Sequence, residues 1–272
     1  MPTTRVGDIS IYYEVHGEGE ALVLVIGHGS NSLRWFRQVP VLSKEYRVVI
    51  FDNRGAGRSD KPDIPYTVEM MAGDIAGLLD AIGIDAAHIY GTALGGMIVQ
   101  EFALHYPEKV ISLILGCAFC GGPHTIRQDT DATTRRTERQ RLEQLPREER
   151  VRQGLLNMFS QQFIDSNPET IEQFVANAVA FVAPPYAIAR QAEAVRSFDT
   201  YDRLPSLRMP ALVIAGVADR IIPSENSRLL ASRIPGAELI MLENKGHGYY
   251  VEAADEVNSI VLDFLRRHPR SG

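Results

Sequence analysis

The sequence predicts an α/β protein, a mostly parallel sheet flanked by helices and interrupted once by a helical insertion. Three observations carry this. Apolar runs of strand length alternate with stretches of helical period from Ala21 to Leu115, and again from Ala211 to Phe264. Between them, from about Gly121 to about Tyr201, the chain is charged, helix-prone and poor in strand signal. At the centre of the first half, a strand turns into a helix through Gly91-Thr92-Ala93-Leu94-Gly95-Gly96.

The elements follow in order. Ile9 to His16 predicts a strand, closed by the turn Gly17-Glu18-Gly19-Glu20. Ala21 to Ile26 is apolar throughout, as a strand covered on both faces should be. A glycine-punctuated loop, Gly27-His28-Gly29-Ser30-Asn31-Ser32, leads to Trp35 and Phe36. Tyr46 to Phe51 is the next strand, and Thr67 to Ile82 a helix that stops at Gly83. Ala87 to Tyr90 is a strand, followed by a helix that ends at His105-Tyr106-Pro107, and Val110 to Leu115 a further strand. After the insertion, with Pro146, Pro168, Pro184 and Pro185 as breakers, strand signal returns at Ala211 to Ala215. A helix from Ser224 to Arg233, a strand from Glu238 to Leu242, a loop to Gly248 and a last helix through Phe264 follow. The chain thus divides into a core, residues 1–120 and 202–272, and a helical cap, residues 121–201, over the C-terminal edge of the sheet.

Composition narrows the function. The 272 residues suffice for one large core with an insertion, and 45% apolar with 23% charged residues is ordinary for a globular chain. A net charge of −6 gives no reason to expect nucleic acid or an anionic membrane as partner. No apolar run approaches the ~20 residues of a bilayer span, and Met1 to Asp8 lacks the apolar core of a signal peptide. Two cysteines form no disulfide framework, so a cytoplasmic location is expected.

Glycines two residues either side of a central residue, between strand and helix, mark a nucleophile elbow, where backbones approach too closely for a Cβ atom. The motif resembles the G-x-S-x-G-G of the α/β-hydrolase family, with Ala93 where that family has serine. Asp52-Asn53-Arg54-Gly55-Ala56-Gly57-Arg58-Ser59-Asp60-Lys61-Pro62 resembles the family's D-x-R-G-x-G-x-S-D-x-P loop. The likeness covers about residues 9–120 and 205–266.

Acyl transfer on this fold needs a nucleophile, a base, an acid that orients the base, and amide donors for the oxyanion. The resemblance implies the order nucleophile, acid, histidine. Asp219, just beyond the strand ending at Ala215, takes the acid position. Its alternative is a turn aspartate capping the following helix, a role that Ser224 fills. His247, in Lys245-Gly246-His247-Gly248 between the last strand and the last helix, takes the base position, against the alternative of a surface-loop histidine. His28 stands at the x of the family's H-G-x, whose histidine is replaced by Ile26, so the backbone N–H groups of His28 and Leu94 are the expected oxyanion donors. Phe119, Tyr186 and Met158 are candidates to touch substrate, alongside Phe159, Phe163, Phe174 and Phe181, most of which belong to cap packing.

Two other patterns lead elsewhere. Cys117 and Cys120 form C-x-x-C, but a strand end is the wrong context for a thioredoxin-type motif and no second pair exists for a metal. A reduced pair near the pocket is expected. Gly55-Ala56-Gly57 is followed by no Lys-Ser/Thr pair, so it is no phosphate loop. No metal or organic cofactor is implied. The expected partner is a small-molecule ester or lactone, and the oligomeric state is open.

Ala93 has no nucleophilic atom, and two accounts of it stand. Either a serine hydrolase of esters or lactones has lost its nucleophile, or the chain is a small-molecule-binding protein on a hydrolase scaffold. The retained acid, base and oxyanion loop favour the first, since a binder has no chemical need for them. Enol-lactone hydrolases and acyl-homoserine lactonases of this fold are the most similar in texture. A cofactor-free dioxygenase or C–C bond hydrolase stands as a further alternative.

Overall fold

Alternation along the strands decides which face each side chain covers. In the third strand, Val23 and Val25 join one buried cluster and Leu22 and Leu24 another, so the sheet separates two apolar layers. The structure, a computed structural model, describes residues 2–128, 137, 141–142 and 144–270.

Eight strands form the sheet: β1 (Thr3–Val6), β2 (Ile9–His16), β3 (Ala21–Val25), β4 (Arg47–Phe51), β5 (Ala87–Thr92), β6 (Val110–Gly116), β7 (Ala211–Gly216) and β8 (Glu238–Leu242). Their order is β1-β2-β4-β3-β5-β6-β7-β8. β1 pairs with β2 and β2 with β4 antiparallel, and every other pairing is parallel. The parallel part matches expectation. β1 was not anticipated, because Thr3-Thr4-Arg5-Val6 is short, polar and an edge strand with one partner.

The helices are α1 (Val39–Leu42), α2 (Val68–Ala81), α3 (Leu94–His105), α4 (Arg147–Gln153), α5 (Leu155–Met158), α6 (Gln161–Ser166), α7 (Pro168–Val179), α8 (Pro185–Ala194), α9 (Glu225–Arg233), α10 (Tyr249–Glu252) and α11 (Ala254–Arg267). Thr67 caps α2, its hydroxyl accepting from the N–H of Met70 at 2.9 Å. Residues of α2, α3 and α9 line the first apolar layer, and Val257, Val261 and Phe264 of α11 line the second.

Among its described residues, the segment between β6 and β7 holds helices joined by loops and no strand, apart from an isolated bridge between Gly121 and Asp199. Its helical character over 129–136, 138–140 and 143 lies outside the described residues. The prolines expected as breakers begin helices instead. Pro146 and Pro184 sit at N-caps and Pro168 and Pro185 inside the first turn, where a missing N–H costs nothing. Among the described residues no helix is long and apolar enough to cross a membrane.

The insertion is tied to the loop after β3 by side chains that reach backbone. Asn31 Nδ2 donates to the carbonyls of Asn177 (3.0 Å) and Ala180 (2.9 Å), and Asn177 returns a bond to Leu33 O at 2.9 Å. Gln191, fully buried, accepts from Gly29 N at 2.8 Å and donates to Arg54 O at 2.7 Å. Where the β4 loop turns back, Arg54 pairs with buried Asp74 at 2.6 Å and Arg58 with Asp52 at 2.9 Å.

Candidate active site

The site begins with the turn from β5 to α3. Ala93 adopts φ 51° and ψ −119°, a left-handed conformation that strains any residue with a Cβ. Two glycines let the backbones close around it. A Cβ on Gly91 would strike the carbonyl of Gly95, and one on Gly95 the carbonyl of Val25. The Ala93 N–H donates to Gly116 O at 2.9 Å, which fixes the turn against β6. Leu94 is the first residue of α3, so its N–H has no acceptor within the helix and is free to face a ligand.

Beside this turn lies a cavity of about 510 Å³. Its lining includes Gly27, His28, Ala93 and Leu94, Met97 and Phe119, and Met158, Ile222, His247 and Tyr250. The elbow and the oxyanion loop therefore meet in one space: a Cβ on Gly27 would stand 3.1 Å from that of Ala93 and 3.7 Å from the amide nitrogen of Leu94.

Asp219 and His247 come together behind it. Their link, Nδ1 of His247 to Oδ2 of Asp219, is 2.7 Å, with the carboxylate fully buried. Oδ1 of Asp219 accepts the N–H groups of Ile221 (2.7 Å) and Ile222 (2.9 Å), so it serves the turn and the histidine together. Ser224 occupies the N-cap of α9 but makes no side-chain capping bond, contrary to expectation, because its φ and ψ are already helical. The histidine loop is braced from below. Glu252 accepts from Gly246 N at 3.2 Å and from the Ser160 hydroxyl at 2.5 Å, while Gly248 N donates to Met158 O at 2.7 Å.

The other ring nitrogen, Nε2, faces the cavity side with Cys117 Sγ at 4.0 Å. Burial pushes the His247 imidazole down, but the Cys117 sulfur and the Asp219 carboxylate outweigh it and raise it to about 10. Cys117 sits at φ 36° just past β6, and its thiol donates to His247 O at 3.7 Å. Cys117, Asp219 and His247 are the one set among the described residues whose donor atoms lie within 4.8 Å of one another. With Nδ1 committed to Asp219, an ion at Nε2 would find only Sγ besides, short of the three protein ligands usual for zinc. Cys120 is buried elsewhere, its thiol pushed up to about 11 by burial, and both cysteines are unbridged.

The remaining expectations divide. Phe119 and Met158 line the cavity. Tyr186 does not. It is 42% exposed, and its hydroxyl donates to Lys61 O at 2.8 Å, because α8 turns that face outward across the β4 loop. Phe159, Phe163 and Phe174 pack among themselves and against core residues, and Phe181 is exposed. The His28 backbone stands beside Ala93, while its ring bonds to Ile188 O of α8 at 2.8 Å. Sequence reasoning passed over Arg34, Glu252 and Tyr250. Arg34 had a signal: it is the one charged residue between Ala21 and Phe36. Glu252 and Tyr250 had none, since the short helix α10 lies hidden between loop and α11.

Comparison with known proteins identifies the family. The family described as the alpha/beta hydrolase fold matches residues 20–254. A protein from Azorhizobium caulinodans named "Putative carbamate hydrolase RutD" is 32% identical over 264 residues, which are 97% of this chain and 98% of that protein. Among solved structures, the enol-lactonase from Burkholderia xenovorans LB400 superposes with a TM-score of 0.85 at 26% identity, covering 97% of this chain and all of the other (100%). Est816, described as an N-acyl homoserine lactone degrading enzyme, gives 0.81 at 28% identity, with 97% and 100% covered. The chain belongs to the α/β-hydrolase fold family.

Proposed function

We propose that the cavity is the active site of a carboxylic ester or lactone hydrolase whose nucleophile position is held by Ala93, so that the chain binds acyl substrates without forming an acyl-enzyme. One observation carries this reading: a hydrogen-bonded Asp219–His247 pair opens onto the same cavity as a strained elbow residue. Residues 121–201 act as the cap that closes it. With a hydroxyl at position 93, Nε2 of His247 takes the proton as the oxygen attacks the substrate carbonyl. Asp219 holds the opposite N–H and stabilises the imidazolium. The tetrahedral oxyanion rests on the N–H groups of His28 and Leu94. His247 then returns the proton to the departing alkoxide, and a water molecule repeats the sequence to free the acid.

The named activities of similar proteins, on carbamates, enol-lactones and acyl-homoserine lactones, all begin with attack on a carbonyl that carries a leaving group. Those three classes, with simple esters, define the panel. Ala93→Ser should raise turnover on at least one class by several orders of magnitude, since loss of a catalytic serine elsewhere costs about 10⁶. Hydrolysis of none of them would reject the reading.

Ala93 itself favours a second reading, a binding protein on a hydrolase scaffold. That reading predicts a small molecule retained through purification and no gain from Ala93→Ser.

A further inference from the structure

We propose that Arg34 is an anion-recognition residue of this cavity, and that the ligand taken there carries a carboxylate besides its reactive carbonyl. The proposal rests on the acyl-substrate reading of the cavity and narrows its substrate class.

Arg34 lies in the short turn Ser32–Trp35 that follows the oxyanion loop, and it lines the cavity together with Ser30, Ala93 and His247. It is only 9% exposed. A buried cation normally has a carboxylate beside it, because taking a charge out of water is costly unless it is paired. Arg34 is paired with none among the described residues. Its polar contact is one bond from a terminal nitrogen to Phe174 O at 3.2 Å, and its Nε, fully buried, has no partner. The guanidinium lies 3.5 Å from the centroid of the Phe174 ring, which stabilises the cation without neutralising it.

The surroundings sharpen the imbalance. Among the described residues no Asp or Glu lines the cavity. Arg34 also lines an adjoining cavity of about 260 Å³ with Arg147 and Arg150, and among the described residues that one has no acidic lining either. Three arginines therefore converge in a chain whose net charge is −6. Burial pushes the Arg34 guanidinium down from its ordinary value; the Tyr250 hydroxyl opposes this, and Arg147 adds to it. A bound carboxylate would meet the second terminal nitrogen of a planar donor suited to it, and would supply the missing counter-charge. The Phe174 contact alone accounts for a packed arginine. It leaves unexplained why an arginine that lines the cavity keeps a buried Nε without a partner.

The test compares monomethyl adipate, an anion, with dimethyl adipate, its neutral counterpart, by calorimetry on the unmodified protein near pH 7, with succinate and glutarate homologues as length controls. The anion should bind about 10- to 100-fold tighter, the range for one hydrogen bond to a charged group. Arg34→Met, checked for folding by circular dichroism, should erase that preference while keeping the diester's affinity. Should that variant fail to fold, ¹⁵N NMR of the unmodified protein serves instead. The Arg34 Nε–H resonance should move on adding the monoester and stay fixed with the diester. Equal affinities, a preference that survives Arg34→Met, or an unmoved resonance would overturn the role of Arg34 and leave the hydrolase reading intact. Binding of neither compound at millimolar concentration would overturn both.

Discussion

The two walls of the cavity are built by different means. On the core side, backbone fixes geometry. Glycines at 91 and 95 leave no room for a side chain, and strand ends deliver Asp219 and the His247 loop to one edge. On the insertion side, side chains reach over to backbone: Asn31 to Asn177 and Ala180, Arg34 to Phe174, Gln191 to Gly29 and Arg54. The first construction tolerates almost no change in sequence, so it places reacting groups reproducibly. The second can be altered residue by residue. The two constructions should respond differently to substitution.

The largest effects belong to the core wall. In an Ala93→Ser background, His247→Ala should remove most of the gained turnover, up to ~10⁶-fold. Asp219→Asn should remove about 10⁴-fold by favouring the wrong tautomer of the ring. Steady-state kinetics on the preferred ester measures both, and losses below tenfold would break the assignment of that wall.

Gly95→Ala comes next. The new methyl meets the carbonyl oxygens of Val25 and Ile26, which belong to β3 and its end and have no rotamer to change. Overpacking against backbone should cost at least about 3 kcal/mol in denaturant unfolding. A variant as stable as the parent would mean that α3 can slide away from β3.

On the insertion wall the expected effects are smaller. Gln191→Leu strands the Gly29 N–H and the Arg54 carbonyl, a loss of about 1–3 kcal/mol in stability. Because Gln191 joins the insertion to the loop without touching Ala93 or His247, KM should rise more than kcat falls in the Ala93→Ser background. An effect confined to kcat would contradict the division of labour.

The mildest is a shift along the pH axis. Only the neutral imidazole accepts a proton, and Cys117 and Asp219 raise the His247 value to about 10. Activity in the Ala93→Ser background should therefore rise with pH through a midpoint above the ordinary ~6.5. Cys117→Ala removes one of the two causes and should move that midpoint downward. A midpoint at or below 6.5 in both proteins would show that the sulfur exerts no such pull.

Legibility in the sequence followed the same division. The strands from β3 to β8, the elbow and the pairing of Asp219 with His247 were all readable, because local periodicity and glycine spacing determine them. β1 escaped notice because a four-residue edge strand of Thr, Thr, Arg and Val carries no apolar period. Tyr186 was misplaced, since the facing of an insertion helix depends on contacts more than a hundred residues away, such as its bond to Lys61. Arg34 was passed over for the same reason: its burial is made by Phe174, in a different element.

The central claim is that position 93 is where an acyl group would be carried. It is tested most directly by mixing Ala93→Ser protein with an activated ester, quenching within milliseconds, and mapping the adduct by peptide mass spectrometry. The acyl mass should appear on the peptide that holds position 93, and should be absent from the unmodified protein. An adduct on the peptide holding Cys117, in either protein, would move the nucleophile to the thiol beside His247. No adduct alongside steady hydrolysis would mean that His247 activates water directly and that the elbow carries nothing.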